Sequence, residues 1–205
     1  MRQAVLNAAN PSVEIDLSEK SMLATVWDFA QLGVEHIFTG YDHLAFLVGL
    51  LITTATLTSL LKVITSFTAA HSITLALATF GIVSVPSRLI ESLIALSIAY
   101  IAIENFMGKT IMRRWKITFL FGLFHGFGFS NVLQEMSLSR RTLAVSLFSF
   151  NGGVELGQLV FVCAVFPLVY FASTSSWKTY VLSTASVAIA VLGVFWFIER
   201  AFGMG

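Results

Sequence analysis

The sequence predicts an all-α fold, a polytopic membrane helix bundle of about six transmembrane helices behind an N-terminal interfacial helix. Three observations carry that prediction. Hydrophobic types make up 57% of the 205 residues and charged types 11%, whereas a soluble domain carries about 25% charged residues. The mean hydropathy is +0.85. The apolar residues also fall into long runs, each able to cross a bilayer core of about 30 Å at 1.5 Å rise per residue. An ordinary soluble enzyme and a disordered chain are excluded. A formal net charge of +1 gives no reason to expect a nucleic-acid partner. The single cysteine, Cys163, excludes an intramolecular disulfide and a thiolate metal cluster.

Residues 1–22 are polar and acidic-leaning, with Glu14, Asp16 and Glu19, and do not read as a signal peptide. Residues 23–39 have a helical pattern but carry Asp28, Glu35 and His36, which suits a helix lying in the interface. The bundle proper occupies 40–205. Its spans are expected at about 41–58, 59–84, 87–106, 117–136, 142–173 and 177–200, and the first boundary is weak because residues 53–59 are only mildly polar. Pro86 closes the second span, and the basic stretch GKTIMRRWK at 108–116 separates the third from the fourth. Lys62, Lys109, Arg113, Arg114, Lys116 and Lys178 fall on one side. Arg2, Lys20, Arg88, Arg140, Arg141 and Arg200 fall on the other, so the tally alone does not orient the chain. The dense short loop at 109–116 and the acidic N-terminal segment opposite it place both termini outside. No internal repeat is evident, which argues against a transporter built from duplicated halves.

The chemistry is expected where polar residues enter apolar segments. The four histidines are His36, His43, His71 and His125, and Asp42, Glu91, Glu104 and Glu155 share their segments. An ionisable residue at the centre of a membrane helix costs about 2.5–3.5 kcal/mol on insertion scales, so each needs a partner, a cavity or a metal. One buried histidine is more often a packing residue than a ligand. Four of them sharing segments with carboxylates and amides reverse that preference. Helical spacing puts Thr68, His71 and Ser72 on one face, and Asn151, Glu155 and Gln158 on another. Gly122 and Gly126 flank His125 in a small-xxx-small pattern, which serves close helix approach or packing alone. Most of this set converges in the outer half of the bundle. Glu104 with Asn105 is the exception, near the inner end.

Imidazole and carboxylate donors without cysteine suit a divalent transition metal such as nickel, cobalt or zinc. The candidate ligands are His36, Asp42, His43, His71, His125 and Glu155, with Ser72, Asn151 and Gln158 as orienting partners. Asp42 and His43 are neighbours and cannot point the same way on a regular helix, so Asp42 is also a candidate helix cap or orienting group. A straight helix through Gly40 would hold His36 and His43 about 10 Å apart along the axis. Joint ligation therefore requires a bend, which Gly40 permits.

The stretch His36-IFTGY-Asp42-His43 has the form H-x5-D-H, followed by LAFLVGLL. With FTAAHSITLALA at 67–78, ESLIALSIA at 91–99, FGLFHGFGF at 121–129 and FNGGVELGQ at 150–158, it resembles the HupE/UreJ membrane proteins over about residues 30–160. The resemblance implies a polytopic protein grouped with nickel or cobalt permeases that serve hydrogenase and urease maturation, in a bacterial inner (cytoplasmic) membrane. By resemblance His36, Asp42, His43 and His125 fall on the family's motif positions. A second permease signature resembles F-H-G-x-A/V-H-G-x-E. Phe124, His125 and Gly126 fit it, but Gly128 and Phe129 stand where Ala and His are expected, and Val132 stands in place of Glu. Glu155 is a spatial candidate for the missing carboxylate.

Three functions remain open at this level. One is a permease for a divalent metal. The alternative is an intramembrane zinc-dependent hydrolase, with a metal-activated water and Glu155 or Glu91 as base. The third is a non-catalytic metal-stabilised or hydrogen-bonded bundle acting as a subunit or sensor. HExxH and GxSxG are both absent, which excludes the zincin arrangement and disfavours serine hydrolysis. The lipid bilayer and a metal ion are the expected partners, and a homo-oligomer is compatible with the sequence.

Overall fold

Capping residues set the helix boundaries. The computed structural model describes residues 21–53, 56–107, 114–130, 133 and 139–203. Among them are seven helices and no strand: α1 (Met22–Thr39), α2 (Tyr41–Thr53), α3 (Leu57–Thr79), α4 (Ser87–Phe106), α5 (Arg114–Gly128), α6 (Arg140–Thr174) and α7 (Lys178–Phe202). Side-chain oxygens of Ser21, Thr56 and Ser139 accept from the backbone N–H of Ala24, Ser59 and Thr142, starting α1, α3 and α6. The weak boundary in the sequence thus falls at the Thr56 cap. Gly203, at φ 65°, ends α7 in the left-handed conformation that glycine adopts without strain. Apart from Ser21 and Met22, the polar segment 1–22 lies outside the described residues. So do 108–113 of the basic loop and most of 131–138, where the sequence ends its fourth span.

Helices α3, α4, α6 and α7 are each long and apolar enough to cross a membrane. Helices α1 and α2 satisfy the same criterion only as a pair, bent by 71° at Gly40. Helix α5 has 15 residues, about 22 Å, which is short of a full crossing. The chain is therefore an integral membrane bundle with four or five candidate spans among the described residues, so the sequence-based figure of about six is approximate.

The helices associate as three pairs, α1 along α6, α3 along α5 and α4 along α7, with α2 touching α1, α4, α6 and α7. The spanning windows of α3 and α4 are 50% and 56% buried and those of α6 and α7 only 17% and 11%, so α3 and α4 form the interior. Helix α2 serves two clusters at once. Leu47 and Leu51 join Ile64, Phe150 and Val154 on one side, while Phe46 and Leu50 join Phe67, Ile98 and Phe121 on the other.

Each pair closes on glycine. A Cβ at Gly33 would strike the carbonyl oxygen of Phe150, and one at Gly153 would strike that of Ala30. A Cβ at Gly126 would strike Thr74 Oγ1 and the carbonyl of His71, and one at Gly122 would lie 2.9 Å from the Cβ of Ala70. At Gly193 it would lie 2.7 Å from the backbone nitrogen of Ala99. These are backbone-to-backbone approaches that only a missing side chain allows. The 122/126 pattern accordingly serves close approach.

Gly126→Ala is expected to destabilise the bundle by about 1–3 kcal/mol through overpacking, read as a lower unfolding temperature in detergent. Gly152→Ala is the control, because a Cβ there meets nothing within 4 Å and alanine is the better helix former. Its unfolding temperature should be unchanged or raised. Equal temperatures for the two variants would refute the role given to the glycine contacts.

Candidate metal centre

Two of the four imidazoles come from one sharp bend. His36 lies in the last turn of α1, and the N–H of Gly40 donates to the His36 carbonyl at 3.0 Å. At φ −83° the Gly40 backbone is open to any residue. Space is what requires glycine, since a Cβ would lie 2.8 Å from both the His36 carbonyl oxygen and His43 Nδ1. The bend brings the rings of His36 and His43 to 4.6 Å between centroids. His71 enters from α3 at 6.1 Å from His36 and 6.3 Å from His43. His125 enters from α5 at 5.2 Å from His43. One ring nitrogen from each of His36, His43 and His71 lies within 4.8 Å of the others.

The proton positions follow from the partners. His125 Nδ1 lies 2.9 Å from the Phe121 carbonyl oxygen. A carbonyl only accepts, so Nδ1 carries the proton and Nε2 keeps its lone pair. Asn151 donates its Nδ2 to the Leu147 carbonyl at 2.8 Å, which turns its Oδ1 toward His71 Nδ1 at 3.2 Å. His71 Nδ1 is therefore the donor, and its Nε2 is bare as well. The Nε2 atoms of His36, His43, His71 and His125 are all buried without a hydrogen-bond partner among the described residues. One such atom costs about 1–3 kcal/mol in an apolar interior. Four together fit a cation. Tetrahedral coordination at about 2.0–2.1 Å would need donors about 3.3–3.4 Å apart; the nitrogens of His36, His43 and His71 lie within 4.8 Å of one another, while His125 stands outside that group, its ring 5.2 Å from that of His43.

Aromatic rings wall the site. Phe67 stacks on His71 at 6.1 Å and lies 5.0 Å from His125, and Phe46 lies 5.2 Å from His125. Phe129, the residue standing where the permease signature has its second histidine, packs on His36 at 4.4 Å and stacks on Phe150 at 4.8 Å. A phenyl ring thus fills the volume beside His36.

The other sequence candidates are placed as follows. Gln158 accepts from Thr68 at 2.9 Å, one turn before His71. Ser72 donates to its own helix, to the Thr68 carbonyl at 2.6 Å. Asp42 is engaged by Arg200, whose Nη2 lies 3.1 and 3.2 Å from its two carboxylate oxygens. Glu155 is half-buried and accepts from Thr65 at 2.9 Å, and Glu91 is exposed. Among the described residues, no carboxylate joins the clustered ring nitrogens of His36, His43 and His71.

Sequence reasoning counted Arg200 and Arg114 only toward orientation and missed them as partners of intramembrane carboxylates. It also treated Phe129 as a lost ligand rather than a wall. An arginine at a helix end, with an unpaired carboxylate near another helix end, was the available signal. Arg88 reaches the Ala201 carbonyl beside the Arg200–Asp42 pair, while Lys62 and Lys116 both lie over Trp115.

A family model described as HupE/UreJ protein matches residues 13–200. No curated protein and no solved structure matches the chain.

Asn151→Ala removes the acceptor that orients His71 and should weaken metal binding by about 10–100-fold, measured by equilibrium dialysis of the purified protein with nickel, cobalt or zinc. Unchanged affinity would separate His71 from the centre.

Proposed function

The chain belongs to the HupE/UreJ family, and from that membership together with the imidazole cluster we propose that it is a permease for a divalent metal ion of the nickel, cobalt or zinc kind. The single observation that carries this reading is the set of four buried Nε2 atoms that have no partner among the described residues, on four different helices whose imidazoles neighbour one another amid phenyl rings. Imidazole nitrogen suits these ions and does not suit magnesium or calcium. The ion is cargo in this reading, and the histidines replace part of its hydration shell midway.

Asp42 lies next to His43 in sequence, and its pair with Arg200 is only partly buried, with side chains 23% and 21% exposed. A cation arriving at this end competes with the Arg200 guanidinium for Asp42 and then passes to the imidazoles. With both termini outside, this is the outer mouth of the bundle in a bacterial inner membrane. Helix α1, packed along α6, brings His36 to the other imidazoles. The hydrolase alternative is less well supported, because neither Glu155 nor Glu91 joins the clustered nitrogens as a base.

Proteoliposome uptake tests the reading. Wild-type protein should take up at least one of nickel, cobalt and zinc. His43→Ala and His125→Ala should each lower uptake by about a hundredfold or more, since losing a ligand exceeds the cost of losing its orienting partner. Tight stoichiometric zinc without flux would replace the permease by the hydrolase.

A further inference from the structure

A second buried polar cluster lies at the end of α2 away from the imidazoles. Glu104 and Asn105 sit in the last turn of α4, and Arg114 opens α5. Arg114 Nη2 donates to Glu104 Oε1 at 3.1 Å and to Asn105 Oδ1 at 2.7 Å. Asn105 donates from Nδ2 to the Gly49 carbonyl at 2.6 Å, and its Oδ1 also accepts from Thr53 Oγ1 at 3.0 Å. Three helices therefore meet on this group of oxygens.

The ion pair is deeply buried and only half satisfied. The side chains of Arg114 and Glu104 are 9% and 6% exposed. Glu104 Oε2 and the Nε and Nη1 atoms of Arg114 are buried and have no hydrogen-bond partner among the described residues. A buried pair barely offsets its desolvation even when every lone pair and proton is matched. Three unmatched atoms on ionised groups add to that cost, so bundle stability alone does not account for the arrangement. The carboxylate retains a free acceptor beside an amide oxygen and a hydroxyl. Such a donor set takes a cation, and the guanidinium already present there is a cation on a tether.

We propose that Glu104, Asn105 and Thr53 form a second, oxygen-donor site for a divalent cation, in series with the imidazoles along α2, and that Arg114 fills this site until an ion displaces it. Gly49 and Thr53 follow His43 by six and ten residues, about 9–15 Å along the helix, a hop between sites rather than shared ligation. Oxygen donors hold nickel, cobalt and zinc less tightly than imidazoles do. Affinity therefore falls along the path, as release from a multi-site conduit requires. Arginine keeps its proton, so it opens the site only by moving away from Glu104.

The proposal extends the permease reading, but its binding test is independent of flux. The probe is nickel ion, titrated by equilibrium dialysis against detergent-solubilised full-length wild type, R114Q and the R114Q/E104Q double variant. With Arg114 neutralised, R114Q should bind one more nickel than wild type, and the double variant should lose that extra ion. Equal stoichiometry in all three overturns the proposal. Should R114Q fail to fold, E104Q in proteoliposomes decides. Wild-type nickel binding with uptake lowered at least about tenfold, the loss expected when one of two sites in series is removed, supports the second site, and wild-type uptake overturns it. Wild-type vesicles without any flux remove the permease reading alone, because the extra nickel in R114Q is read on solubilised protein.

Discussion

Close backbone contact at glycine is the constraint on which the site depends. Lipid tails are as apolar as leucine, so burial of apolar side chains does little to hold transmembrane helices together, and dispersion at short range has to do it. The glycines that permit this contact lie at the level of the chemistry. Gly126 abuts the carbonyl of His71 and is the residue after His125, so the missing side chain sets how far α3 stands from α5 where their imidazoles meet. Gly33 abuts the carbonyl of Phe150, one residue before the asparagine that orients His71 and one turn before His36.

Helix α2 is held electrostatically at both ends. Near its N-terminus Asp42 takes the Arg200 guanidinium, and near its C-terminus Gly49 and Thr53 hydrogen-bond Asn105, which takes that of Arg114. His43 lies between them, on the helix that contributes to both apolar clusters. In each case the guanidinium of one helix sits on oxygens of another.

Much of this was legible in the sequence because membranes impose strong composition rules. The spans α3, α4, α6 and α7 fall close to the apolar runs that mark them, and the four histidines stood out because imidazole is costly in hydrocarbon. The need for a bend at Gly40 followed from helix rise alone. Its cause did not. The backbone there is ordinary, and glycine is required because the His43 ring occupies the space of a Cβ, a contact that spacing does not encode. Spacing likewise does not show that Asp42 has an ion-pair partner on α7. Phe129 looked like a loss because a motif records donors and not the walls that exclude water from them.

The bend at Gly40 also has a temporal consequence. His36 and His43 are brought together by a single short closure, which costs little chain entropy. His71 and His125 belong to helices synthesised later. On the ribosome, two of the four clustered imidazoles are therefore synthesised side by side before α3 and α5. The bent pair of helices carries both rings before the remaining helices arrive to enclose them.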